Sequence, residues 1–150
     1  MPFALLVILV LAVDQLSKYI IRTNMVPNQS LPVIESIFHI TYVNNPGAAF
    51  GLFANKTWLF IGVTLAVVIL IVFTYLYLPP GQMIVRLALA LMLGGAVGNL
   101  IDRLRFGYVI DFLDFRIWPV FNLADMAVVS GVILLCWQIL ASGGKQGSWL

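Results

Sequence analysis

Apolar residues run almost unbroken through four stretches of the chain, about Phe3–Ile21, Trp58–Leu78, Met83–Ile101 and Val120–Ala141. A helix needs about 20 mostly apolar residues to cross a bilayer, so each stretch predicts one span. The first carries Asp14, Gln15 and Lys18, lacks a basic start and is followed by no small-residue cleavage site. It is therefore expected to stay in the mature protein as a span rather than leave as a signal peptide. Pro79-Pro80-Gly81-Gln82 is a tight polar turn, which makes the second and third spans antiparallel neighbours. The first loop, Arg22–Thr57, is long, and its segment Ser36–Val43 is β-branched and aromatic enough to predict a strand. The third loop, Asp102–Pro119, is also sizeable. Trp58 and Trp118 stand at span ends, where interfacial tryptophans belong. With no internal repeat or low-complexity stretch, residues 1–150 read as one integral membrane domain.

Composition narrows the class. Of 150 residues, 62% are apolar and 9% charged, against roughly 25% charged in a soluble domain. Mean hydropathy is +1.05. Fourteen charged side chains could not cover the surface of a soluble fold this long, so a small polytopic membrane protein is expected. The net charge of +2, with no basic run, gives no reason to expect nucleic acid as a partner. Cys136, the single cysteine, lies in an apolar run and reads as a lipid- or helix-facing thiol.

The polar residues collect on one side. Tracing the spans puts the second half of span one, the end of span three and the start of span four at the same membrane face, together with both long loops. Asp14, Asp102, Asp111, Asp114 and Asp125 fall there by topology, and Glu35 is in the first loop. Asp14 and Lys18 are spaced i,i+4, so they share a helix face and can neutralise each other. Asn99 and Arg103 have the same spacing, and Asn122 and Asp125 are i,i+3. At about 1.5 Å per residue, Asp125 is expected roughly 8 Å inside span four. A carboxylate there costs up to about 2.5–3.5 kcal/mol unless it finds a partner or a proton.

Asp111, in the loop that feeds span four, is the candidate partner. Thirteen residues separate it from Asp125, enough to fold back and set the carboxyls side by side. Two such groups in a low dielectric hold a proton between them. One then takes a proton from water while the other protonates the developing oxyanion, the chemistry of an aspartic peptidase. Spacing alone leaves other readings open: Asp111 and Asp125 as a structural pair, or each bound to an arginine. Asp114 is the nearest decoy; it shares the face of Asp111 if the segment is helical and takes the opposite face if it is extended. His39 is the only histidine, and HExxH, Walker and GxGD patterns and metal-ligand clusters are absent from the sequence. Neither metal nor cofactor is expected.

Five segments, in order, carry a resemblance. They are Asp14-Gln15-Leu16-Ser17-Lys18, Asn45-Pro46-Gly47-Ala48-Ala49-Phe50-Gly51, the run Gly94–Arg103 (GGAVGNLIDR), Gly107-Tyr108-Val109-Ile110-Asp111-Phe112 and Phe121-Asn122-Leu123-Ala124-Asp125. On a four-span chain they resemble bacterial lipoprotein signal peptidase, also called signal peptidase II, over nearly the whole length. The resemblance implies an all-α membrane protein, four transmembrane helices with a small extracytoplasmic β-sheet cradle. It implies a metal-free aspartic endopeptidase of the bacterial inner membrane, multi-pass, with its active site toward the extracytoplasmic face. The implied substrates are diacylglyceryl-modified prolipoproteins, cut just before the lipidated cysteine, and the implied inhibitors are of the globomycin type. Membrane lipid is the other implied partner, and a monomer is expected. By motif the dyad falls on Asp111 and Asp125, with Asn45, Gly47, Asn99, Arg103, Asn122, Asp14 and Lys18 as substrate-binding or supporting residues. One departure is the short connector from Asp111 to Asp125, which bears on the shape of the loop over the site.

Charge counting points the other way on orientation. The long-loop side holds Arg22, Lys56, Arg103, Arg105 and Arg116, and the other side Arg86 and Lys145. The positive-inside rule would put the long loops in the cytoplasm. The resemblance is followed instead, because Arg103 belongs to the expected site and Arg105 and Arg116 lie among acids.

Plainer roles stand beside these. Asp102 and Arg103 could cap span three, and Asp14–Lys18 could be an ion pair only. Gly94 and Gly98 form a GxxxG of the kind that packs helices closely, and Asn45-Pro46-Gly47 is a turn first. The loop aromatics Phe38, Tyr42, Phe50, Phe53, Phe112 and Phe115 could anchor at the interface, grip lipid chains or shield the acids. Two rival functions are a proton-coupled transporter with Asp14, Lys18 and Asp125 as a relay, and a non-catalytic chaperone for signal helices.

Overall fold

Among the described residues, four helices are long and apolar enough to span a membrane: α1 (Phe3–Asn24), α2 (Thr57–Leu76), α3 (Met83–Phe106) and α4 (Leu123–Gly143). The structure is a computed structural model that describes residues 3–47 and 56–143. Strands β1 (Ser30–Ile34), β2 (Phe38–Asn45) and β3 (Val109–Asp114) form one antiparallel sheet in the order β1-β2-β3. Ala48, Ala49, Phe50, Phe53 and Gly51 of the first loop, and Gly144, Lys145 and Gly147 of the tail, lie outside the described residues.

Helix α3 is the centre, packed against the other three, and small residues make that possible. A Cβ on Gly94 would come within 2.8 Å of the Val10 side chain of α1, and one on Gly98 would meet the Asp14 carboxylate. On the α4 side a Cβ on Gly95 would meet the Ala124 carbonyl, and one on Gly131 would come within 2.6 Å of the Ala88 carbonyl. The GxxxG therefore serves close packing, as expected for helices with no hydrophobic drive between them in lipid. The outward faces keep their large apolar side chains exposed, among them Ile69, Leu70 and Phe73 of α2 and Ile133 and Ile139 of α4. Cys136 is a free thiol on that exposed surface.

Two apolar clusters close the ends of the bundle. At one end Ile71, Leu89 and Leu93 pack with Phe3, Val7 and Tyr75. There Arg86 donates to the Leu78 carbonyl at 3.2 Å, satisfying an acceptor left free beyond the end of α2. At the other end Met25, Tyr42 and Ile110 pack with Ile21, Ile40 and Phe106, seating the sheet on the ends of α1 and α3.

The sequence expectations hold in outline and shift at the boundaries. The expected antiparallel packing of spans two and three is present as α2 against α3. The predicted strand at Ser36–Val43 lies two residues later, as Phe38–Asn45, because Ser36 takes a positive φ of 61° in the hairpin turn. Strands β1 and β3 were not predicted. Helix α3 runs past Ile101 to Phe106 and stops at Gly107, whose φ of 80° provides a left-handed cap. Asp102 and Arg103 are thus inside a helix and do not cap it. Helix α4 starts at Leu123, not Val120. Asp125 is therefore its third residue, and the expected depth of roughly 8 Å is corrected to the first turn.

Candidate active site

Asp111 sits in the middle of β3, opposite Val43 of β2. Alternation along the strand turns it toward the helices that end nearby, while Asp114, three residues on, serves the other face. One Asp111 oxygen accepts from Asn45 Nδ2 at 2.9 Å. The Asn45 carbonyl oxygen in turn accepts from the Gly47 amide at 3.0 Å. Gly47 holds a φ of 130°, and a Cβ there would come within 2.6 Å of the Phe60 ring of α2. Both conditions call for glycine. The Asn45-Pro46-Gly47 turn thus aims an amide at Asp111 and packs tightly on α2.

Asp125 is held by the start of its own helix. Asn122 precedes α4, and its side-chain oxygen accepts from the Asp125 amide at 2.9 Å. The Asp125 carboxylate accepts from the Asn122 amide at 3.3 Å. This reciprocal pair is a capping box. The Ala124 amide between them donates to Asp14 Oδ1 at 3.0 Å. Asn122 is thus a cap, and the expectation that it sits within the span on one helix face with Asp125 is corrected.

The two acids are joined through two asparagines. Asn122 Nδ2 donates to Asp111 Oδ1 at 2.6 Å and to Asn99 Oδ1 at 3.1 Å. Asn99 Nδ2 donates to Asp125 Oδ1 at 2.7 Å. The orientation of the Asn99 amide is forced, because its oxygen also accepts from Lys18 Nζ at 2.9 Å and an ammonium can only donate.

Lys18 lies under this bridge and is 2% exposed. Its three protons have three acceptors: Asn99 Oδ1, Asp14 Oδ2 at 3.0 Å and Asp102 Oδ2 at 2.9 Å. Gln15 Nε2 donates to both Asp14 and Asp102 at 3.1 Å. Asp102 also accepts from the Ile110 amide at 3.2 Å, next to Asp111. The layer therefore ties α1 and α3 to the strand that carries the first acid. Asp14 and Lys18 are buried ion-pair partners beneath the amide bridge. A relay needs exchangeable protons along a path, and this closed set offers Lys18 no further acceptor.

Arg103 and Asn99 line one cleft with Asp125, about 250 Å³ in volume, whose apolar walls include Val63 and Val67 of α2 and Val128 and Val129 of α4. The Arg103 guanidinium lies 5.4 Å from the centre of the Phe60 ring. Its buried Nε has no hydrogen-bond partner among the described residues. A buried donor left open beside a cleft is suited to an arriving carbonyl oxygen.

Burial, more than the charge of Asp125, pushes the Asp111 carboxyl up to about 7, against the hydrogen bonds from Asn45 and Asn122 that favour its ionised form. Asp114 moves the other way. Burial raises it, but hydrogen bonds from Thr41 and Arg116 outweigh that and hold it below the usual carboxylate range. Its partners are Thr41 Oγ1 at 2.7 Å and the Arg116 guanidinium at 3.1 Å. The extended alternative is the observed one, and Asp114 is separate from the Asp111 cluster. His39 is engaged on the sheet, 3.1 Å from Ser30 Oγ.

Two contributors escaped the sequence reading. Gln15 had no assigned role, and its link to Asp102 spans 87 positions, which no local spacing reveals. Phe60 looked like any other residue of an apolar span.

The similarities to known proteins agree with this geometry. A family model described as "Signal peptidase (SPase) II" matches residues 6–141. The lipoprotein signal peptidase of Moorella thermoacetica is 72% identical over 147 residues, covering 98% of each chain. That of Pelotomaculum thermopropionicum is 46% identical over 142 residues, 95% of this chain and 93% of the relative. A solved structure described as a bacterial membrane enzyme superposes with a TM-score of 0.91 at 33% identity, covering 99% of this chain and 93% of that one.

Proposed function

The chain belongs to the signal peptidase II family, and from that premise we propose that Asp111 and Asp125 are its catalytic pair. It is a multi-pass protein of the bacterial inner membrane and an aspartic endopeptidase that acts on lipoprotein precursors.

In the proposed reaction Asp125 takes a proton from water as the water oxygen attacks the scissile carbonyl. Asp111, with its affinity for protons near neutrality, gives its proton to the carbonyl oxygen. The resulting gem-diol collapses: the proton on Asp125 passes to the leaving amine nitrogen, the C–N bond breaks, and one diol proton returns to Asp111. Water is consumed once and both acids end as they began. Arg103 Nε and Asn99 hold the substrate backbone and the Asp125 carboxylate, and the apolar cleft receives the signal peptide. The cut falls just before the lipidated cysteine, whose acyl chains stay in lipid. Asn45, Gly47, Asn122, Asp14 and Lys18 position these groups.

The single observation that carries the assignment is the double amide bridge, Asp111–Asn122–Asn99–Asp125. It gives two acids from distant segments one hydrogen-bonded frame. The test is a purified enzyme with a diacylated precursor peptide. Asp111→Asn and Asp125→Asn should each abolish cleavage with expression intact, and globomycin should block the wild type. Near-normal processing by either variant would remove that residue from the pair.

The active site is proposed to face the extracytoplasmic side. The cations that argue otherwise are partly engaged: Arg103 lines the cleft and Arg116 pairs with Asp114. A cysteine-accessibility label placed on the β1–β2 turn from outside intact cells tests this; labelling only after lysis would reverse it.

A further inference from the structure

Two other arginines on the long-loop side have a different setting. Arg22 lies in the last turn of α1 and Arg105 in the last turn of α3. Both are exposed. Their guanidinium carbons lie over the same ring, Phe106, at 4.7 Å and 5.4 Å from its centre. Neither forms an ion pair with an acid among the described residues. A guanidinium stacked on a ring spends its face and keeps its edge donors. Both guanidiniums thus keep N–H donors open beside Phe106.

The same residues line a cleft of about 130 Å³ on the α1–α3 seam, with Lys18 and Asp102 also in its wall. Asp102 adds little repulsion to an anion. Lys18 lies against it at 2.9 Å, and its oxygens already accept from Gln15 and the Ile110 amide. Arg22 and Arg105 are thus the cations left with open donors at this cleft. The residues stand where α1 and α3 leave the apolar spans, next to the exposed apolar side chains Tyr19 and Ile20 of α1 and Leu104 of α3. Cationic donors directly above a lipid-facing surface suit a phosphate that itself stands on acyl chains.

We infer that Arg22 and Arg105, set by Phe106, bind the headgroup phosphate of an anionic phospholipid in the leaflet that the long loops face. This site is on the α1–α3 seam, whereas the peptide cleft lies between α2, α3 and α4.

The probe is native mass spectrometry of the detergent-purified enzyme with phosphatidylglycerol, phosphatidylcholine or inorganic phosphate. Wild type should retain phosphatidylglycerol over phosphatidylcholine. The double variant Arg22→Gln/Arg105→Gln should lose roughly tenfold in retention, as expected for removing charge-assisted hydrogen bonds. Its cleavage of precursor in detergent should stay at the wild-type level, which also shows that it folds. Arg116→Gln, which removes a cation already paired with Asp114, should retain the lipid. Equal retention by the double variant would overturn the site. So would an equal loss in Arg116→Gln, which would mean general surface charge. Inorganic phosphate alone binding as well as the lipid would overturn the headgroup assignment.

Discussion

Asn122 donates to Asp111 at 2.6 Å with one end of its amide and caps the helix of Asp125 with the other. The side chain that starts α4 thereby sets the distance between the two acids. Asn122 is also completely buried, so no solvent competes for its bonds.

Substitution at Asn122 should separate capping from bridging. Asn122→Ser keeps a good N-cap but is too short to reach Asp111 and Asn99. It should lose about 1–3 kcal/mol through the buried acceptors left open, while cleavage falls on the order of a hundredfold, as misplaced reacting groups do. Asn122→Ala should lose about 1 kcal/mol of stability in addition. Thermal unfolding in detergent and single-turnover cleavage read the two effects.

The pH profile should carry the mark of Asp111. In the proposed reaction the acid form is the active one, and its midpoint is about 7, so kcat/KM should fall about tenfold per pH unit on the alkaline side. Asn45 favours the ionised form, so Asn45→Ala should move that limb to higher pH. Stability follows the same group. Folded Asp111 holds its proton to about 7, whereas an unfolded aspartate releases it near 3.9. The folded state binds the extra proton between those values, so this contribution is full below the lower one and is lost as pH rises through about 7. Asp111→Asn should lose that slope in thermal melts taken from pH 5 to 8.

Lys18→Met should strand two buried carboxylates, Asp14 and Asp102. Breaking such a group by removing one partner costs about 3–5 kcal/mol. Adding Asp102→Asn to that variant should recover part of the loss, because one uncompensated charge disappears. A double variant no more stable than Lys18→Met would place the cost elsewhere.

Two glycine substitutions should behave oppositely. At Gly62 of α2 a Cβ meets nothing within 4 Å, so Gly62→Ala should gain about 0.5–1 kcal/mol from the helix backbone. At Gly95 the new atom meets the Ala124 carbonyl. Gly95→Ala should cost about 1–3 kcal/mol as α3 and α4 are forced apart, and it should slow cleavage because Asp125 follows Ala124.

The spans were readable because lipid demands a long apolar run whatever its neighbours do, and the two acids because their motifs are contiguous. The end of α3 was missed although Gly107, with arginines in the turn before it, is an ordinary helix stop. The capping box was also present in Asn122-x-x-Asp125 and was read as a helix face, since the apolar run begins three residues earlier. Strand β1 gave no periodic signal. All five of its residues are exposed and one is Pro32, so neither alternation nor a core face marks it. The Lys18 layer joins residues more than 80 positions apart, and pattern along a chain holds no such information.

The far side of β3 has a consequence for how a precursor is gripped. Its Ile110 amide is taken by Asp102 and its Phe112 and Leu113 amides by the Phe121 carbonyl, so these rungs are closed to a fourth strand. The carbonyl oxygens of an extended polypeptide approaching Asp111 from that side cannot accept from these amides and must find side-chain donors, of which the open Arg103 Nε is one.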